Sequence, residues 1–113
     1  MPNLIHKVGF YQFAPEFGAV STNLSKVVTA LNGVDADIIV LPELAFTGYY
    51  FQDRDELALL AEEPATSPTI ASLVQLCHDN SFHLVTGFAE KAGKKIFNSA
   101  LLINGDGILH MVA

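Results

Sequence analysis

Hydrophobic and polar positions along the chain fall into two periods. Residues 4–14 are rich in Ile, Val, Phe and Tyr and run into Pro15. They predict a strand with Val8, Phe10 and Gln12 on one face and Gly9, Tyr11 and Phe13 on the other. Residues 15–20 carry Pro and Gly and read as a loop. From 21 to 32 the period changes. Leu24, Val27, Val28 and Leu31 fall at i, i+3, i+4 and i+7, the stripe of an amphipathic helix. Ser21 or Thr22 is placed to cap its start, and Asn32-Gly33 to end it. Residues 38–41 form a short apolar run between Asp37 and Pro42, as expected of a parallel strand buried on both faces.

The next stretch, 44–52, is aromatic and irregular, with Gly48 inside it. Residues 53–62 predict a short helix carrying Leu57, Leu60 and Ala61. Ser67-Pro68 opens a second clear helix, with serine as cap and proline at the first helical position. Its stripe is Ile70, Leu73, Val74 and Cys77. A third strand over 82–89, a polar turn over 91–95 and a fourth strand over 96–103 follow. Asn104-Gly105-Asp106-Gly107 is a hairpin turn leading to a fifth strand over 108–112. Crossovers early and hairpins late make residues 1–113 one α/β unit.

Composition narrows the class. Hydrophobic residues make up 50% of the 113 and charged residues 16%, against about 25% charged in ordinary soluble domains. Disorder is excluded, and the chain is apolar for its size. Twelve acids against six bases give a net charge of -6. Arg54 is the only arginine. Phosphate backbones and anionic membrane surfaces both require a basic face, so neither is expected as a partner. One cysteine, Cys77, cannot form an internal disulfide and favours a reducing compartment. No leader pattern and no run of about 18 apolar residues is present. The expectation is a cytoplasmic protein.

Chemistry concentrates at Leu41-Pro42-Glu43-Leu44-Ala45-Phe46-Thr47-Gly48-Tyr49. Glu43 follows a buried strand at its C-terminal end, the edge where open α/β sheets bind ligands. Among Leu44, Phe46, Tyr49 and Tyr50 its carboxylate is expected to be partly desolvated, which suits a general base. The plainer alternative is a solvated or salt-bridged loop glutamate. Phe46 and Tyr49 are candidates to line a substrate pocket, with simple packing the alternative. Glu90 is a candidate for the pocket rim. His6, His78, His83 and His110 lack metal-ligand spacing, and no glycine-rich phosphate loop exists. No metal or cofactor is expected. An unrelated flavodoxin-like binding domain is weakened by the same missing loop.

The ordered pieces resemble the nitrilase superfamily of carbon–nitrogen hydrolases. Gln12-Phe13-Ala14-Pro15 is similar to the end of that family's first strand, and Asn23 to the start of its first helix. Ala36 to Glu43 followed by Gly48-Tyr49 resembles its most recognisable N-terminal motif. Gly87-Phe88-Ala89-Glu90, Phe97-Asn98-Ser99-Ala100 and Asn104-Gly105-Asp106-Gly107 follow in the family's order. The resemblance implies the first part of a four-layer αββα sandwich, so that residues 1–113 form an incomplete, truncated N-terminal portion of the domain. It also implies hydrolysis of a small-molecule amide, nitrile or carbamoyl compound by a glutamate, a lysine and a cysteine, with Glu43 as the glutamate.

Two members of that set have no match. The family's lysine follows the strand that here reaches Ala113, and Lys91, Lys94 and Lys95 precede it in a turn. The family's cysteine comes later still. Cys77 lies on an apolar helical stripe, where a cysteine behaves as a small hydrophobe. The resemblance therefore implies a chain inactive alone that associates with a complementing chain or with itself. A non-catalytic assembly piece is the alternative.

Overall fold

The computed structural model describes residues 5–48 and 54–113. Its elements are β1 (Val8–Phe10), α1 (Val20–Leu31), β2 (Ile38–Val40), α2 (Arg54–Leu60), a 3-10 turn (Pro64–Thr66), α3 (Pro68–Asn80), β3 (His83–Ala92), β4 (Lys95–Asn104) and β5 (Gly107–Val112). They form a five-stranded sheet in chain order. β1, β2 and β3 are parallel, whereas β3–β4 and β4–β5 are antiparallel hairpins.

The first strand is much shorter than the 4–14 expected from its composition. β1 pairs only with β2, and β2 ends before Pro42, so pairing has nothing to continue against. The last link is Tyr11 N–H to the Val40 carbonyl at 3.0 Å. Beyond it Tyr11 and Phe13 leave the sheet and stack on each other, centroids 5.0 Å apart. The cap expected from Ser21 or Thr22 is also not seen. α1 starts one residue earlier, with Ala19 at the N-cap position and no side-chain cap. The helix does end at Asn32, followed by Gly33 at φ 84°, a conformation that glycine adopts without steric cost. In α3 the Ser67 cap is present: its hydroxyl accepts from Ile70 N–H at 3.1 Å.

The β3–β4 hairpin is longer than its apolar core. Both strands run into the charged tip, with Lys91, Ala92 and Lys95 exposed, leaving Gly93 and Lys94 as the turn. Hairpin pairing needs backbone partners, not burial, so lysines extend it into solvent.

Most of the core packs on one sheet face, and a smaller cluster of Leu44, Ala61 and Ala89, with Leu57 and Ile96 against it, lies at the hairpin end of the other. Ile39, Leu84, Leu101 and Ile103 project from one sheet face onto Val27 and Leu31 of α1 and Leu73 and Cys77 of α3. The opposite face carries Phe10, Val40, Val85, Leu102 and His110 in one register row. Phe10 is 77% exposed and Val8 69%. The face predicted for Val8 and Phe10 is therefore the open one.

Candidate active site

Glu43 is presented by a segment fastened on several sides. Pro42 cannot donate to the ladder, so β2 ends and the chain turns over the neighbouring strand. Leu41 N–H reaches the Val85 carbonyl at 2.8 Å, and Gly87 N–H reaches that of Pro42 at 3.2 Å. The backbone of Glu43 and Leu44 then lies directly on Gly87. A Cβ at position 87 would stand 2.5 Å from Leu44 N and 2.6 Å from Glu43 Cα. Glycine here is the condition for the crossing.

Leu44 then takes φ 45°, a costly conformation for a residue with a side chain. Its carbonyl accepts from Gly48 N–H at 3.0 Å, closing a tight turn over Ala45–Thr47. Asn23, fully buried on α1, locks that turn from the far side. It donates from Nδ2 to the carbonyls of Phe46 and Glu16, both at 2.9 Å, and accepts from Glu16 N–H at 2.8 Å.

The carboxylate emerges on the open face of the sheet. Its Oε1 accepts from Asn98 Nδ2 at 2.6 Å. Asn98 sits on β4 opposite Ala89. Beside the pair lies a groove of about 420 Å³, lined by Leu41, Glu43, Val85, Gly87, Asn98, Ala100 and Val112 among others. A hollow of about 500 Å³ between α1 and α3 is larger but lies on the helical side, with Asp79 its one acidic lining residue. The smaller groove is the one that Glu43 and Asn98 border.

Several expectations change in this geometry. Glu43 is exposed, not partly desolvated, because Leu44 and Phe46 turn into the protein instead of around the carboxylate. The Phe46 ring is 2% exposed and belongs to the core, so it packs and does not line the groove. Tyr49 and Tyr50 lie outside the described residues. Glu90 is 8% exposed and takes a 2.7 Å hydrogen bond from the Ser99 hydroxyl on the helix-covered face, not at a rim. Cys77 is 1% exposed, and its Sγ contacts the Ile103 carbonyl at 3.9 Å. Burial pushes its thiol up to about 11. A thiol so placed is neither reachable nor readily ionised. Among the described residues no group of three His, Cys, Asp or Glu gathers to hold a metal ion.

Two residues that shape the site had no assigned role in the sequence reading. Gly87 interrupts a strand of larger residues, a signal of close backbone approach. Asn98 is a polar residue whose reach to position 43 spans 55 residues of sequence. No local pattern announces that contact.

An α/β sheet bearing a carboxylate at the end of a central parallel strand, beside a groove, is the class of protein these features define. The family model described as carbon-nitrogen hydrolase matches residues 7–113, and the chain belongs to that family. A nitrilase of Pyrococcus abyssi is 31% identical over 106 residues, a match covering 91% of this chain and 40% of that protein. An (R)-stereoselective amidase of a Pseudomonas species is 32% identical over 104 residues, covering 90% of this chain and 37% of the amidase. The crystal structure of an N-terminal amidase superposes with TM-score 0.82 at 24% identity, over 95% of this chain and 27% of that one. It supports the nitrilase-like fold. The chain thus spans less than half the length of these relatives.

Proposed function

We propose that this chain supplies the general-base glutamate, Glu43, of a hydrolase acting on non-peptide carbon–nitrogen bonds in a small-molecule amide, nitrile or carbamoyl compound. The observation that carries the reading is the placement of Glu43. It stands at the end of β2, seated on Gly87 and tied to Asn98, with its carboxylate beside a groove on the open face. In the chemistry that the family resemblance implies, the carboxylate accepts a thiol proton and the thiolate attacks the substrate carbon. With an amide or carbamoyl compound the C–N bond breaks and the amine leaves with the proton the glutamate took, whereas a nitrile nitrogen takes that proton and stays; water then hydrolyses the covalent intermediate and frees the thiol. A lysine stabilises the charge that develops at the tetrahedral carbon.

Among the described residues no side chain is placed to fill the other two roles. Cys77 is buried on the far side of the sheet from Glu43's groove. Lys91, Lys94 and Lys95 belong to the tip of the β3–β4 hairpin. The reading therefore includes a complementing polypeptide, or a further portion of the same one, that brings the lysine and cysteine to the open face. Exposed Val8, Phe10, Val40 and Val112 on that face favour such a covering. The same exposure favours self-association as the second reading, with the chain serving as a non-catalytic assembly piece.

The test is a hybrid in which residues 7–113 replace the matched region of the Pyrococcus nitrilase, assayed on a panel of amides and nitriles. The hybrid is expected to turn over substrate, and the 113-residue chain alone is not. A folded hybrid with no turnover, or turnover by the homogeneous chain alone, contradicts the reading.

A further inference from the structure

We infer that Asn98 is a positioning residue for Glu43: it holds one carboxylate oxygen and thereby leaves the other to take the proton. The inference rests on the base role proposed above and adds a division of labour within the carboxylate.

The backbone at Glu43 is fixed by Gly87, by the left-handed Leu44 and by the turn that Asn23 locks. Its side chain is not fixed by packing, because the residue is exposed. A glutamate on a fixed backbone still samples many rotamers, and holding it in one costs side-chain entropy. The bond from Asn98 Nδ2 to Oε1, at 2.6 Å, is what selects one of them. Among the described residues no donor reaches Oε2. An amide N–H donates and cannot accept a proton, so one lone pair of Oε1 is taken and that oxygen is the less basic, whereas Oε2 keeps a lone pair clear of any donor. In the proposed step that lone pair bonds the proton of the nucleophile's thiol, and the S–H electron pair stays on sulfur. The amide also adds no charge beside the carboxylate, whereas a cationic donor would hold it more tightly.

Asn98 is itself aimed by its neighbour. Ser99, on the opposite face of β4, donates its hydroxyl to Glu90 at 2.7 Å, with both residues buried. A one-residue slip between β3 and β4 would turn Asn98 under the helices and Ser99 into the groove. The Ser99–Glu90 bond therefore helps hold the register that places Asn98 beside Glu43.

The experiment is solution NMR on the labelled 113-residue chain, which needs no catalysis. Three-bond couplings of Glu43 are expected to report one dominant rotamer. In Asn98→Asp, which keeps the size but replaces the donor with a carboxylate that repels Glu43, and in Asn98→Ala, which removes the donor without adding charge, they are expected to average. The Asn98 side-chain amide resonance is expected to move in Glu43→Gln. In an active hybrid, Asn98→Asp is expected to lower kcat about ten- to a hundredfold with KM unchanged, the loss of a hydrogen bond to a charged group. Averaged Glu43 couplings in the parent chain, unchanged couplings in a folded Asn98→Asp, or a kcat within twofold would each overturn the inference. A parent hybrid without activity overturns the hydrolase reading instead, and the couplings then decide the role of Asn98 by themselves.

Discussion

Asn23 and Gly87 show how single residues hold the candidate site in place. Asn23 is fully buried and satisfies three backbone groups of two loops. Asn23→Ala leaves those groups unpaired and is expected to cost about 1–3 kcal/mol, read from chemical denaturation. The effect should reach the Glu43 turn as increased amide exchange at Gly48. Gly87→Ala forces a Cβ into the backbone of Glu43 and Leu44. The expected cost is about 1–3 kcal/mol from overpacking, together with loss of the Asn98 side-chain signature described above. Cys77 gives a pH prediction. Its folded thiol stays protonated to about pH 11, against an ordinary value of 9.0. The unfolded thiol thus loses its proton first, and Cys77's contribution to stability is full below pH 9 and lost as pH rises through 11. Denaturant midpoints in Cys77→Ala should lose that part of the alkaline slope; an unchanged slope would contradict it. Glu43 and Cys77 were visible in the sequence through their settings, an acid after a buried strand and a thiol on an apolar stripe. The roles of Asn98 and Gly87 were not, because each depends on a partner far away in the chain.

At the scale of elements, period-based reading worked where an element packs on a core and failed where a neighbour decides. α1 and α3 carry complete apolar stripes, and their extents nearly match expectation. β1 carries as strong a strand composition, yet pairing stops with β2 at Phe10. Composition cannot report where a partner strand ends. The β3–β4 hairpin errs in the other direction, since charged residues pair as readily as apolar ones. Its register is what the site needs. Ser99→Ala would leave the buried Glu90 carboxylate without that donor. The expected cost is about 1–3 kcal/mol, with faster exchange of β4 amides near Asn98. Exchange unchanged at β4 would show that the apolar pairs alone set the register.

The sheet has one face covered by helices and one open over most of its area, with the small cluster of Leu44, Ala61 and Ala89 at its hairpin end. Helices cover the side carrying Leu84 and Leu101, while Phe10, Val40 and Val112 meet water on the other. Val8, Phe10, Val40 and Val112 are exposed apolar residues on that open face, and the Glu43 groove opens onto it as well. No helix among the described residues is long and apolar enough to cross a membrane. The chain by itself is expected to sediment as more than a monomer at micromolar concentration, and Phe10→Glu with Val40→Lys is expected to return it to monomer with the fold retained. A monomeric parent would contradict that. A covering for that face is what the family resemblance implies; no local pattern among these residues specifies one. The central claim, that Glu43 is the base of a carbon–nitrogen hydrolase, is tested most directly by kcat of the nitrilase hybrid with and without Glu43→Gln. The account predicts a fall of about 10²–10⁴-fold with substrate binding retained; a rate within twofold of the parent would contradict it.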